Sequence, residues 1–254
     1  MYPVIARLAG FDISSFGAMV ALGALVGLWL FHRELERSQL RDDAVDAAAI
    51  GVVAGLIGAK LLYVAEHAGE EPLQALLFAR AGLSWYGGFG AGVAAGLLTI
   101  VRKRLPIVPV LAAATPALAV GHAIGRIGCF LVGDDYGRPT TLPWGVAFPE
   151  GAPPTLERVH PTQLYEAAAL TLLAWMLTRW RRAGMADRQV LGRYLVLVGV
   201  TRFLIEFVRV NVRVALDLTV AQWASLIVVA AGLALLIVPM PRPIGAPHRT
   251  PGQS

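Results

Sequence analysis

Residues Ile107–Phe130 read IVPVLAAATPALAVGHAIGRIGCF, and the first eighteen of them, Ile107–Ile124, contain no Asp, Glu, Lys or Arg. A run of that kind matches the hydrocarbon layer of a membrane, which takes about 20 apolar residues with a range of about 17 to 25. Gly121 and Gly125 lie one turn apart, a small-xxx-small face that lets helices approach closely in lipid. The stretch then runs straight into Arg126, an ionised side chain at a depth where charge is costly. It predicts a membrane helix that ends in chemistry.

Working outward, six further apolar segments suit a span: Ser15–Phe31, Ala44–Ala65, Trp85–Val101, Leu164–Leu177, Val190–Phe207 and Ala221–Pro239. The expected fold is all-α, a polytopic membrane protein of seven transmembrane helices with an outward-facing (periplasmic) loop domain. The composition agrees, since the 254 residues are 56% hydrophobic and 15% charged with a mean hydropathy of +0.62. A soluble domain carries roughly a quarter charged residues, so a soluble globular reading is excluded. The net charge of +5 would on a soluble protein suggest nucleic acid, but the basic residues sit in short runs between apolar stretches, which argues against a nucleic-acid partner. A single cysteine, Cys129, leaves no intrachain disulfide and no multi-cysteine zinc site.

Met1–Ser14 lacks the basic flank and cleavage site of a signal peptide, so the first span is expected to be retained. One set of loops holds Arg33, Arg37 and Arg41, then Arg102, Lys103 and Arg104, then Arg179, Arg181, Arg182 and Arg188, and a tail with Arg242 and Arg249. The opposite set holds Arg7, Arg80, Arg138, Arg158 and Arg213. Positive charge favours the cytoplasmic side, which places the N-terminus outside and the C-terminus inside. The domain expectation is one integral-membrane unit over residues 1–240, with a long outer loop at 126–160 that is too proline-rich for a continuous helix, and a disordered tail at 241–254. A second outer segment, Glu66–Gly82, has Leu73, Leu76, Leu77 and Arg80 at helical spacing and is expected along the interface.

Four clusters gather the residues that do not belong in lipid, all toward the outer face. His122 and Arg126 stand one turn apart, where the guanidinium fork suits a phosphate, and Arg138 follows in the loop. His160-Pro161-Thr162-Gln163-Leu164-Tyr165-Glu166 opens the fifth span, with Pro161 in its first turn, His160 or a neighbour as cap, and Gln163 and Glu166 projecting at the membrane surface. Arg202, Glu206 and Arg209 fall at i, i+4 and i+7, a charged stripe on an apolar helix whose excess positive charge an anionic ligand would balance. Trp85-Tyr86-Gly87-Gly88 opens the third span, with an interfacial aromatic and glycines that permit close backbone approach. Lys60 and Tyr63 are further candidates, with Lys60 read chiefly as snorkelling to the interface. Cys129, beside Arg126, reads either as an activated thiol or, more simply, as a small buried apolar residue. No metal-ligand spacing, phosphate loop or serine elbow occurs, and no cofactor is expected.

Taken in order, these residues resemble the prolipoprotein diacylglyceryl transferase family from Ile13 to about Pro239. Gly125-Arg126-Ile127-Gly128 with Gly137-Arg138 resembles its signature, His160–Glu166 its second motif, and Arg202–Phe207 with Arg209 its third. Gln222 and Ser225 stand where the last helix of that family carries a Gln and a Ser. The resemblance implies transfer of the diacylglyceryl group of phosphatidylglycerol to the lipobox cysteine of a preprotein, with glycerol-1-phosphate leaving, in a bacterial inner membrane. The implied partners are phosphatidylglycerol, lipobox preproteins and membrane lipid. The implied catalytic residues are Arg202, Tyr86 and Glu206, and the implied head-group residues are Arg126, Arg138, His160, Gln163, Glu166 and Arg209. Phe16 replaces a common family Tyr, Tyr86 a common His, and Cys129 and Asp134 a common Asn and Glu. Those departures keep open a paralogue with another acceptor, or a lipid-binding membrane protein without transfer.

Overall fold

The computed structural model describes residues 4–8, 11–78 and 82–238. Among them the chain begins with a ribbon of β1 (Val4–Leu8) and β2 (Phe11–Ser14), followed by α1 (Ser15–Arg37), α2 (Asp43–Glu66), a one-turn α3 (Leu73–Phe78), α4 (Trp85–Arg102) and α5 (Ile107–Val132). A second ribbon of β3 (Val146–Phe148) and β4 (Thr155–Val159) precedes α6 (Thr162–Arg182) and α7 (Asp187–Glu206), and a third of β5 (Arg213–Ala215) and β6 (Leu218–Thr219) leads into α8 (Val220–Ile237). Every expected span falls on a long helix, apart from Phe207 and Val238, which cap the ends of α7 and α8, and Pro239, which with the tail at 241–254 lies outside the described residues.

By length and composition, α1, α2, α5 and α8 are long and apolar enough to cross a membrane. The other three long helices fall short of that measure for visible reasons. α4 opens on a run rich in glycine, while α6 and α7 carry arginines in their first or last turns and the buried Glu166 and Glu206. The interfacial expectation for Leu73, Leu76 and Leu77 meets α3, where Leu76 is buried and Leu73 exposed, whereas Arg80 lies outside the described residues.

Glycine sets the helix pairing. α2 and α4 approach until a Cβ on Gly87 would lie 2.3 Å from the Gly58 carbonyl oxygen, and Gly55 and Gly51 meet Gly88 and Gly92 in the same way. α1 and α5 meet at Gly23 and Gly121, and α7 and α8 at Gly192 and Gly232. Gly125, expected to share the packing face of Gly121, instead has nothing among the described residues within 4 Å of its Cβ position. The core divides between a cluster where Phe31, Leu35, Ile100, Val110 and Ala113 join α1, α2, α4 and α5, and one where Leu173, Leu177, Val190 and Leu191 join α6, α7 and α5. At that end Arg181 Nε lies 2.7 Å from Glu34 Oε2, so a residue read only as a topology marker ties α6 to α1.

Two boundaries are corrected. α5 continues to Val132 and stops at Gly133 with φ 73°, a left-handed cap, so the loop begins seven residues later than the 126–160 expectation. α6 starts at Thr162, so Pro161, expected in the first turn, stands at the N-cap position, and among the described residues neither His160 nor a neighbour supplies the side-chain cap expected there. The proline-rich loop carries the β3–β4 ribbon, which five prolines had hidden from a reading of periodicity.

Candidate active site

The C-terminal ends of α5 and α7 and the N-terminal ends of α6 and α8 converge, and their charged residues form one continuous array. Glu166 on α6 faces α5, its Oε2 2.8 Å from Arg126 Nη2 and its Oε1 3.5 Å from His122 Nε2. Arg126 turns its other terminal nitrogen to the loop, with Nη1 2.9 Å from Asp135 Oδ2. Asp135 then spans to the far side, its Oδ1 2.6 Å from Arg209 Nη2. Glu206 closes the series, with Oε2 3.0 Å from Arg202 Nη2 and 3.6 Å from Arg209 Nε. Three guanidinium groups thus alternate with three carboxylates.

The local structure explains why these groups tolerate burial. Glu206, whose side chain is 0% exposed, also accepts hydrogen bonds at Oε1 from Asn211 Nδ2 at 2.6 Å and Thr219 Oγ1 at 2.8 Å. Thr219 caps α8 in a reciprocal capping box with Gln222, so Gln222 supports the helix that steadies Glu206. Gln163 and Glu166, expected at the surface, are 0% and 3% exposed. Gln163 donates to the Asp134 carbonyl and Thr162 Oγ1 to the Asp135 carbonyl, pinning the loop to the start of α6. Gly137 is required where it stands: a Cβ there would lie 2.4 Å from the Val208 carbonyl oxygen and 2.8 Å from the His160 Cβ.

The excess positive charge expected on the Arg202, Glu206 and Arg209 stripe is met by Asp135 from the loop, and Arg209 lies past the end of α7 instead of on it. Donors are left over: Arg202 Nη1, like Arg126 Nε and Arg209 Nε, is buried and has no hydrogen-bond partner among the described residues, and of the three it is the terminal nitrogen. An unsatisfied buried donor on a charged group costs more than about 1–3 kcal/mol, so this nitrogen awaits an acceptor.

Outside the helices, electrostatics separate the two loop aspartates. Burial alone would raise the Asp135 carboxyl, but Arg209 and Arg126 outweigh it and hold it below the usual carboxylate range. Asp134 goes the other way, raised by burial. Cys129 is buried with its Sγ 3.6 Å from Arg126 Nη1. Cys129, Asp134 and Asp135 bring possible ligand atoms within 4.8 Å of one another, yet the two guanidinium groups on Asp135 make that place hostile to a cation.

Beside the array, an open groove of about 450 Å3 is lined by Leu142, Trp144, His160, Tyr165, Leu204, Ile205 and Val208. His160 Nδ1 lies 3.2 Å from Tyr165 Oη, which accepts a hydrogen bond from Trp144 Nε1 at 2.8 Å. Burial and then the charge of Arg138 lower the His160 imidazole, which is neutral at pH 7. The groove adjoins the array through the end of α7, since Ile205 and Val208 line it while Glu206 and Arg209 enter the charge series.

Of the sequence-predicted residues, the structure brings together Arg126, Glu166, Arg202, Glu206 and Arg209, with Gln163 fixing the loop between them. His160 lies in the adjoining groove, and Arg138 contributes backbone bonds to Val208 and His160 while its side chain is exposed. Tyr86 is not part of the array: it is 58% exposed on α4, its ring edge-on to Trp85. Lys60 Nζ reaches the Gly82 carbonyl and the Tyr63 ring. Asp135, Asn211 and Thr219 were missed. Only Asp135 left a trace, as half of an acidic pair just beyond an arginine-bearing helix.

A family model described as prolipoprotein diacylglyceryl transferase matches residues 3–238. Relatives named phosphatidylglycerol--prolipoprotein diacylglyceryl transferase include a protein of Clostridium tetani, 32% identical over 239 residues that cover 92% of this chain and 96% of that protein. One from Methylobacillus flagellatus is 33% identical over 260 residues, covering 94% and 97%. One from Cereibacter sphaeroides is 36% identical over 234 residues, covering 78% and 79%.

Proposed function

Because the chain belongs to the prolipoprotein diacylglyceryl transferase family, we propose that it moves the diacylglyceryl group of phosphatidylglycerol onto the lipobox cysteine thiol of a preprotein. The observation that carries the reading is Arg202 Nη1, a buried guanidinium nitrogen without an acceptor among the described residues, in a three-arginine array at the ends of apolar helices. That is where a lipid phosphate arrives, with its acyl chains along the helices and its head group at their ends.

In the proposed reaction the thiolate sulfur attacks the glyceryl carbon, the carbon–sulfur bond forms, and the carbon–oxygen bond to phosphorus breaks. The bonding electrons stay on the phosphate, so a phosphodiester monoanion leaves as the dianion of glycerol-1-phosphate. Arg202 faces that additional charge, since a preorganised donor aimed at developing charge is the largest source of rate in such sites. Glu206 orients Arg202, and Arg126 and Arg209 hold the rest of the head group, with Glu166 and Gln163 fixing the frame. His160, neutral and in the groove beside the array, is a better proton acceptor for the thiol than Tyr86, whose phenol stands apart from the arginines that would be needed to activate it. No cofactor or metal enters this scheme.

The same reading makes residues 1–240 one integral-membrane transferase unit of seven spans in a bacterial inner membrane, with the N-terminus outside and the C-terminus in the cytoplasm. The alternation of basic loops along the chain supports that orientation. Cells depleted of their own diacylglyceryl transferase test the function. Expression of this chain is expected to restore growth and thioether-modified lipoprotein, and failure of both at normal protein level would overturn the reading.

A further inference from the structure

The three arginines of the array are already matched by three carboxylates, so an incoming phosphate finds few free donors. One carboxylate has to give way if the head group is to sit between Arg126 and Arg209. Glu166 and Glu206 are fixed on helices with side chains 4% and 0% exposed, whereas the Asp135 side chain is 47% exposed on a loop. Its two oxygens join the two arginine forks much as two phosphate oxygens would, at 2.9 Å and 2.6 Å.

The backbone at this residue is held independently of its carboxylate. The Asp135 carbonyl accepts hydrogen bonds from Thr162 Oγ1 at 2.8 Å and from Arg209 Nη1 at 2.9 Å. A rotation about the side chain alone therefore vacates the place between the guanidinium groups, while Arg209 stays positioned by that carbonyl and by Glu206, and Arg126 by Glu166.

Resting on the diacylglyceryl-transfer reading, we propose that Asp135 is a resident anion that occupies the phosphate seat between Arg126 and Arg209 and yields it to the head group of phosphatidylglycerol. Asp135 is a positioning residue. It keeps the two guanidinium groups at phosphate spacing while the site is empty, and by returning to the seat it helps expel the phosphate that leaves.

The sign of the effect separates this role from a merely structural one. A structural tie, once cut, weakens substrate binding, whereas a competing anion, once removed, strengthens it. The test uses full-length protein in detergent micelles, titrated with labelled phosphatidylglycerol, with phosphatidylcholine as the neutral comparison and inorganic phosphate as competitor. Asp135→Asn and Asp135→Ser are each expected to bind phosphatidylglycerol about tenfold more tightly, on the order of one charge-assisted contact, with phosphate competing more strongly and phosphatidylcholine unchanged. In transfer assays the same variants are expected to lower KM for phosphatidylglycerol and also lower kcat, and Asp135→Glu, which keeps the charge, to stay near wild type. Unchanged or weaker phosphatidylglycerol binding in both the Asn and Ser variants overturns the proposal. Binding is read without turnover, so a wild-type protein that transfers nothing would sink the assigned reaction and leave this result standing on its own.

Discussion

His160 and Asp135 show how differently two residues on the same short stretch of structure announce themselves. His160 sits in a dense motif and was legible at once, although its role moved from helix cap to groove wall. Asp135 joins two arginines that are 83 positions apart in the chain, and no local spacing predicts a bridge between them. His160 also supports a test of its charge. Its imidazole is lowered by burial and by Arg138, and a base must be neutral to accept a proton, so activity is lost as pH falls through a value below the ordinary histidine range. The acid limb of kcat/KM for a lipobox peptide is therefore expected below pH of about 6.5. Arg138→Ala removes a positive neighbour, raises the imidazole and moves that limb to higher pH. A limb that stays in place, or moves down, contradicts the assignment of His160 as base.

At the scale of elements, the helices were readable because lipid leaves one solution for an apolar run, a helix with every backbone group paired internally. The ends were less readable. α5 outran its expected span because the charge of Arg126 ends an apolar run, whereas in the fold Glu166 and Asp135 pair that charge and the helix continues to Val132, and the β3–β4 ribbon pairs backbone atoms that no side-chain period reports. Glycine gives this scale its sharpest test. A Cβ on Gly87 meets the Gly58 carbonyl oxygen at 2.3 Å and the Leu62 Cβ at 2.6 Å, whereas Gly90 on the same helix has nothing among the described residues within 4 Å. Gly87→Ala is expected to destabilise the α2–α4 pair by about 1–3 kcal/mol, and Gly90→Ala to be neutral or slightly stabilising. Thermal melts in detergent check the contrast, and equal shifts for the two variants would contradict the packing.

Across the whole molecule, the scarcity of charge identified lipid as the solvent, and the few exceptions located the array. Basic residues between spans, such as Arg181, were assigned to topology alone, yet Arg181 is also buried against Glu34 and Asp187, a role that loop statistics cannot express. Of the charged residues singled out by sequence, Arg126, Glu166, Arg202, Glu206 and Arg209 converge from three helices and a loop, while Tyr86 stays with the α2–α4 pair. The most direct measurement of the account is transfer itself. Membranes containing this protein, supplied with labelled phosphatidylglycerol and a lipobox peptide, are expected to form the thioether-linked peptide and release glycerol phosphate in equal amounts. Arg202→Ala is expected to cut that rate by at least about a hundredfold, the order of losing a preorganised donor to the leaving charge. No thioether product from the wild-type protein, or undiminished product from Arg202→Ala, would contradict it.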